Sequence, residues 1–472
     1  MAAFILAAIL TAVFWRAISA GQPVADADVR AETPRSNAAE AALLMAAALI
    51  IPTLFTIALA DVFVLPKITA LRVTLVAALI LTAWGASQRR GATAFAASGA
   101  SQAIDLALLV FGGLTVLATV FSIDPAHSLL GENEQYQGLL TTLMYVAFFY
   151  LARSSIADHR RLSLLAVAVT AGASLVAGYA VVQQLHLDPI WSTWKGRVFS
   201  TFGQSEWLAA YLVLVLPMGV ALLGQVRSNT RLLVASSLVL IFIALLLAKS
   251  RGGYLGILVA VAVFGAAVAQ RVRPTRRWLL AGPALAVVLV LTLALPPVRR
   301  ETEAIVRRAA STSDLTEGSI AHRLDLWRVG AAIAIEHPIL GTGPETFPLL
   351  FPQYRDTILA SRRDFWIRFR PESPHNVYLA IAGGAGFPAL AAYFTLLVAV
   401  FIQLCRGLRK TPSLAARMLL AGVLAAAAGH LVTDLFMTGD VAGSWLFWLL
   451  LGAGVGYAES LDLLPRWSLA PT

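Results

Sequence analysis

Cysteine occurs once, at Cys405 beside the basic stretch RGLRK, which excludes an intrachain disulfide and a cysteine metal cluster. Lysine is almost as scarce. Only Lys67, Lys195, Lys249 and Lys410 occur in 472 residues, so a run of arginines without lysine is a property of the whole chain and does not mark a phosphate site by itself. Charged residues make up 13% of the chain against 58% hydrophobic ones, with a mean hydropathy of +0.76, too little polarity to wet the surface of a soluble protein. What fills the chain instead is a series of apolar runs of 15 to 27 residues. Each is near the roughly 20 residues that cross a hydrocarbon layer as a helix, which implies bundled helices and excludes an outer-membrane barrel.

Spans near 41–60, 68–86, 103–121, 138–152, 162–184, 206–224, 232–248, 252–270, 278–296, 376–402, 418–436 and 443–458 give an all-α polytopic membrane protein of about twelve helices, or thirteen if residues 1–20 add one. The net charge of +10 is spread over short loops without an aromatic stacking pattern, so it points to topology and not to nucleic acid. One set of alternate loops holds fifteen basic residues, among them Arg153, Arg161, Arg277, Lys410 and Arg417. The short loops of the other set hold five: Lys67, Lys195, Arg197, Lys249 and Arg251. The positive-inside rule makes the first set cytoplasmic and puts residues 297–375 outside. The expected organisation is an N-terminal apolar helix and polar linker over 1–40, nine spans over 41–296, an outer cap over 297–375, three spans over 376–458 and a cytoplasmic tail over 459–472. In the linker, Asp26 and Asp28 form a DxD string, but two acids in a flexible connector lack the further ligands a hard cation needs.

Polar residues inside the spans are few: Arg72, Asp105, His430 and Asp434, each near a helix end, where snorkelling or capping accounts for them. His430 and Asp434, four apart, share a helix face and read as a local pair. The outer stretch 297–375 is far longer than an ordinary loop and is expected to form a partly helical cap. Ile320, Leu324, Trp327, Ala331 and Ala334 predict a helix over 319–336, stopped by His337 before Pro338. Phe347, Leu350, Phe351 and Tyr354 predict a shorter second one. Between them, GTGP (341–344) lacks the GxxxxGK pattern of a phosphate loop and reads as a tight connection.

The cap holds eleven arginines and ten carboxylates, most of them a solvated surface, so position must select the few that matter. Arg251 in SRGGYLG starts a helix whose positive dipole end faces outward. Arg197 follows Trp191, Trp194 and Lys195 at the outer interface. Arg323 lies at the edge of the predicted cap stripe. Each fits either a lipid-linked diphosphate or a headgroup contact. His375, after Pro374 at the start of a span, is either a helix cap or a base; nearby arginines and the helix dipole favour its neutral ring.

In order, RVFSTFGQSEWLAAYL, SRGGYLG, HRLDLWRVGAAIAIEHPILGTGPETF and SPHNVYLAIAGGAGFPAL, with DVFVLPK and FSIDPAHSLLGENEQYQGLL upstream, resemble the O-antigen ligase and Wzy-like polymerase superfamily over about residues 41–458. The resemblance implies a periplasmic cap between the ninth and tenth of twelve spans. It further implies glycan transfer from undecaprenyl diphosphate in the bacterial inner membrane, without a metal or other cofactor. Arg251 and Arg323 match motif arginines that engage the diphosphate, Arg197 matches a basic position before FSTFG, and His375 matches the proposed base. Tyr136 stands where the family often has Arg, and Gln204 and Glu206 where it has an Asn pair. The expected partners are the carrier-linked glycan, an acceptor such as lipid A core, and membrane lipids, with no nucleic acid. A ligase, a polymerase and an O-linked protein glycosyltransferase share this chemistry. A transporter of the lipid-linked glycan would need polar groups through the bilayer, and these are scarce.

Overall fold

The computed structural model describes residues 35–88, 99–133, 135–188, 190, 197–269, 319–411 and 413–462, and these are helical with no strand among them. The helices are α1 (Arg35–Ile50), α2 (Val64–Gln88), α3 (Gly99–Val120), α4 (Pro125–Leu130), α5 (Leu139–Ser155), α6 (His159–Gln184), α7 (Ser205–Leu222), α8 (Ser228–Leu247), α9 (Arg251–Ala269), α10 (Ser319–Glu336), α11 (Phe347–Ile358), α12 (Arg363–Trp366), α13 (Val377–Lys410), α14 (Leu414–Thr433) and α15 (Val441–Asp462). Nine of them are long and apolar enough to cross a membrane among the described residues; α5 and the stretch 38–53 are shorter apolar helices. The span expected at 278–296, the N-terminal helix and Asp26 and Asp28 lie outside the described residues, as does 297–318 of the cap.

Several expected boundaries move. The linker expected to reach residue 40 is already helical from Arg35, and Glu40 is buried and accepts from the Thr82 hydroxyl at 3.0 Å. The first span, expected to reach 60, stops by Thr53, because Pro52 diverts the helix into a short 3-10 turn. The tail expected from 459 begins later, since α15 runs to Asp462, with Glu459 paired to Arg153 and Asp462 to Lys410. α13 extends past the expected 402 to Lys410 and is kinked at Gly386, whose positive φ places it where a side chain would strike the Ile339 carbonyl.

α7, α14 and α15 form the centre of the bundle and are buried along almost their whole length. α9 packs along α14, α5 along α15 and α3 along α13. Small residues allow the closest of these approaches, as expected where van der Waals contact drives helix association in lipid. A Cβ on Gly256 would meet the Gly429 carbonyl at 2.8 Å, and a Cβ on Gly429 would meet the Gly256 carbonyl at 2.8 Å. At the end away from the cap, Arg153 pairs with Asp105 and Glu459, and Arg417 donates from Nε to the Ala267 carbonyl. Asp105 is therefore an ion-pair partner and not a lone snorkelling group. Lys67, Arg197 and Arg251 sit at the cap end, so the two loop sets separated by charge occupy opposite ends of the bundle.

The cap helix expected at 319–336 is α10, and the second expected helix is α11. The buried stripe of α10 differs from the expected one. Leu326, Val329 and Ile333 pack with Phe351, Tyr354, Leu359 and Trp366 in a small core of their own, while Leu324, Trp327 and Ala331 are only half-buried. The reason is that α10 packs against both α11 and α13 and also meets Trp366 of α12, so one apolar stripe cannot describe it. Asp325, which a surface reading would leave in solvent, is buried and accepts from Arg362 Nη1 at 2.6 Å and Trp366 Nε1 at 3.0 Å.

Candidate active site

The loop that ends at α7 is held by groups far apart in sequence. Lys67, in the DVFVLPK stretch, donates from Nζ to the carbonyls of Leu54 (2.6 Å), Phe63 (2.8 Å) and Thr201 (2.5 Å). Gln183 Oε1 accepts from the Ser200 N–H at 2.7 Å, and the Thr201 hydroxyl donates to the Pro52 carbonyl at 2.6 Å. Ser200 and Gly203 adopt positive φ, and Gly203 leaves room for the Phe63 ring. These bonds fix Arg197 at the loop's start and Glu206 in the first turn of α7, where a carboxylate complements the helix N-terminus.

Arg197 Nη1 donates to Glu206 Oε1 at 2.6 Å, and Arg197 Nε donates to the Ala248 carbonyl at 2.9 Å. Arg323 Nη2 lies 3.7 Å from the same Glu206 oxygen. Two guanidinium groups from a loop and a cap helix thus converge on one carboxylate, and both are about one-fifth exposed. Arg251 is the first residue of α9, three positions after Ala248. Its neighbours Gly252 and Gly253 let the helix start pack tightly: a Cβ on Gly252 would touch Phe436 at 3.2 Å and one on Gly253 would touch Ala209 at 2.8 Å. Phe436 in turn contacts Trp327, one helical turn beyond Arg323, with ring centroids 6.1 Å apart. The structure therefore gathers Arg197, Arg251 and Arg323 at the cap end of the bundle; Trp191, Trp194 and Lys195 lie outside the described residues.

His375 is not a helix cap. Asn376 is the capping residue of α13, its Oδ1 accepting from the Leu379 N–H at 3.0 Å, and the Val377 N–H donates to the Asp434 carbonyl at 2.9 Å. His375 itself has φ +49, a left-handed conformation that costs energy for a residue with a Cβ and is held by its N–H donating to Ser373 Oγ at 3.1 Å. Its ring makes no hydrogen bond among the described residues. Burial, and after it the positive charge of Arg323, lower the His375 pKa below its ordinary value; Glu206 acts in the opposite direction. The ring is therefore neutral near pH 7 and able to accept a proton.

A cavity of about 170 Å³ is bordered by Ser373, Pro374 and Asn376, while His375, Arg197, Arg251 and Arg323 are not among its lining residues. Thr342, Gly343, Pro344 and Glu345 of GTGPE form part of its wall, together with Gln135 and Gln137 from more than two hundred residues earlier. GTGPE docks on FSIDPAHS: the Ile123 N–H and the Ser122 hydroxyl donate to the Thr342 carbonyl, the Ser128 hydroxyl donates to the Pro344 carbonyl, and the His127 ring bonds the Glu345 carbonyl. The Thr342 and Gly343 N–H groups pair with the Gly383 and Gly384 carbonyls of α13, each at 2.9 Å. GTGP is thus the tight connection the sequence suggests, and its amides are engaged in packing. Glu345 projects inward, where its Oε2 accepts from the Glu132 and Gln137 N–H groups at 2.8 and 3.2 Å. Burial pushes its pKa up to about 7 despite those bonds.

Sequence reasoning passed over Glu206, noting it only as a departure from a motif; an acid in the first turn of a span, nine residues after Arg197, was the available signal. It also took His430 and Asp434 as a local pair. Their closest atoms are 3.6 Å apart and both are buried, and both line the cavity, which no one-helix view shows. Tyr136, at the position expected to touch the carrier, packs half-buried against the bundle core with φ +53.

No curated protein matches the chain. Residues 236–394 match the family model described as O-antigen ligase, Wzy_C. The match runs from within α8 past the kink in α13 and holds Arg251, Arg323 and His375, with Arg197 outside it. Over that segment the chain is similar to the O-antigen ligase family, and nine of its described helices are long and apolar enough to cross a membrane.

Proposed function

We propose that the protein transfers a glycan from undecaprenyl diphosphate to an acceptor hydroxyl, on lipid A core or another surface acceptor, at the periplasmic face of the bacterial inner membrane. The observation that carries this reading is the convergence of Arg197 and Arg323 on the single carboxylate of Glu206, in electrostatic reach of His375. A site that already holds one anion between two guanidinium forks suits a diphosphate, which offers more oxygens and more charge.

In this mechanism the His375 imidazole takes the proton of the acceptor hydroxyl as its oxygen attacks the anomeric carbon. The carbon–oxygen bond to the diphosphate breaks, and the electron pair leaves on the diphosphate oxygen. Arg251, Arg323 and Arg197 meet that charge in the role a metal plays elsewhere. Attack opposite the leaving group inverts the anomeric centre. The apolar bundle shelters the polyprenyl chain.

The test is an in vitro assay of purified protein with a radiolabelled lipid-linked oligosaccharide, offered core lipid, a second lipid-linked repeat and a peptide in turn. Label on core lipid is the expected result; label on the repeat would make the protein a polymerase, label on the peptide a protein glycosyltransferase, and no label on any would defeat the reading. Orientation has its own test. His337→Cys in a Cys405→Ser background should react with a membrane-impermeant maleimide from the periplasmic side. Labelling from the cytoplasmic side alone would place the site on the wrong face for a periplasmic acceptor.

A further inference from the structure

The cavity beside His375 differs in chemistry from the arginine cluster. None of the described residues that line it is arginine or lysine, whereas Glu345, Glu372 and Asp434 all contribute to its wall. A diphosphate entering it would face carboxyl groups with no countercharge, so this space does not suit the leaving group. Its remaining polar groups are uncharged. Gln137 Oε1 accepts from the Tyr145 hydroxyl at 3.1 Å, while the Gln137 Nε2 is buried and has no hydrogen-bond partner among the described residues. A buried amide donor without a partner costs free energy, and a ligand hydroxyl at this wall would relieve it.

The floor is aromatic. Phe111 and Trp448 lie nearly parallel with centroids 6.4 Å apart, and Tyr393 contacts both at 5.6 and 6.3 Å. Trp448 stands seven residues into α15, so at a rise of about 1.5 Å per residue this floor lies roughly 10 Å below the helix start. Hydroxyl-binding amide and carboxyl groups above an apolar aromatic face match a pyranose ring, which carries hydroxyls around its rim and C–H bonds on its faces.

We infer that this cavity seats an uncharged sugar ring of the acceptor, with Gln137, Glu345 and Asp434 facing its hydroxyls and the Phe111, Tyr393 and Trp448 rings beneath it. The inference rests on the glycosyl-transfer reading and adds to it a division of labour: diphosphate on the Arg197 and Arg323 side of segment 373–376, acceptor sugar on the other. Because Pro374 and Asn376 both border the cavity, a ring held there is next to His375.

Two measurements on the full-length protein in lipid nanodiscs test this. The first needs no turnover: methyl glycosides of glucose, galactose, mannose and N-acetylglucosamine are titrated while tryptophan fluorescence is read. At least one should shift the emission saturably, and the shift should vanish in Trp448→Phe and in Ala380→Phe, a space-filling change at an exposed position on the cavity wall. The second is steady-state transfer with the acceptor that the assay above identifies. Gln137→Leu and Ala380→Phe should each raise the acceptor KM at least tenfold, leaving the donor KM within about twofold.

Saturable glycoside binding without any transfer by the wild type would defeat the glycosyl-transfer reading and leave the sugar site standing. Normal transfer with no glycoside response and an unchanged acceptor KM would defeat the sugar site alone. A rise in donor KM in both variants would assign the cavity to the carrier lipid and overturn the inference.

Discussion

Two regions of opposite character adjoin segment 373–376. In one, Arg197 and Arg323 meet a single carboxylate, Glu206, with Arg251 at the nearby start of α9. In the other, Glu345, Glu372 and Asp434 stand around a cavity with no arginine or lysine among the described residues of its lining. Both regions are built at the cap end of the same bundle and both draw on α10, yet their charged side chains differ in sign. An arginine-rich site stabilises negative charge as it develops. A carboxyl- and amide-lined site repels that charge and orients neutral hydroxyls. In the proposed mechanism, His375, whose chain neighbours Pro374 and Asn376 border the cavity, serves an acceptor in that space while the arginines hold the leaving group.

The sharpest way to break this comparison is to remove the group between the regions. His375→Ala is expected to lower kcat by about 100 to 10,000-fold with donor binding retained. Because Asn376 already caps α13, His375→Asn keeps the helix start and suits the left-handed backbone, so it should be as inactive as the alanine variant. A fully active Asn variant would remove His375 from the chemistry. Wild-type activity should fall on acidification with a midpoint below about 6.5, since a lowered histidine pKa delays protonation to more acidic pH.

Next in size is the arginine side. Arg251→Ala and Arg323→Ala should each cost about 2–4 kcal/mol in the barrier while insertion and folding are retained, with lysine rescuing poorly because a point charge does not replace a bidentate fork. Arg323→Ala has a second signature. It removes a positive charge that lowers the His375 pKa, so the residual activity should show its acid limb at higher pH than the wild type. Wild-type turnover in both variants would return these side chains to a headgroup role.

The smallest expected effect sharpens the comparison. In Glu206→Gln the arginines lose the carboxylate they share, and the donor KM should fall by a few-fold, on the order of 1 kcal/mol, because the diphosphate no longer competes with it. The acid limb should move to lower pH, since Glu206 raises the His375 pKa. A weaker donor KM would show that Glu206 orders the arginines for binding instead of competing for them.

Much of this arrangement was legible in the chain. Apolar runs near membrane length located the described spans, with errors confined to their ends, where Pro52, the Gly386 kink and the Glu459 pairing override simple hydropathy. Arg251, Arg323 and His375 stood out by position at helix starts and on the cap helix. Glu206 did not, because its meaning depends on two partners, one nine residues away and one on the cap. The stripe of α10 was misplaced because that helix packs on two sides, and a period of 3.6 residues identifies a helix without saying how many neighbours it has.

The sequence by itself determined that the chain is a helical membrane bundle with its charged loops sorted by end and a cap carried on one of them. Transfer of apolar residues into lipid and the charge bias of short loops are properties of local composition, and they act before any helix finds its neighbour. Only the tertiary structure decided which arginines share a carboxylate, that Asn376 and not His375 caps α13, and that GTGPE, docked on FSIDPAHS, lines a cavity. Those features depend on distances between helices far apart in the chain. The distances are set by close backbone approaches such as Gly256 on Gly429, by Lys67 binding three carbonyls and by amides paired across loops, contacts that exist only once the bundle has packed.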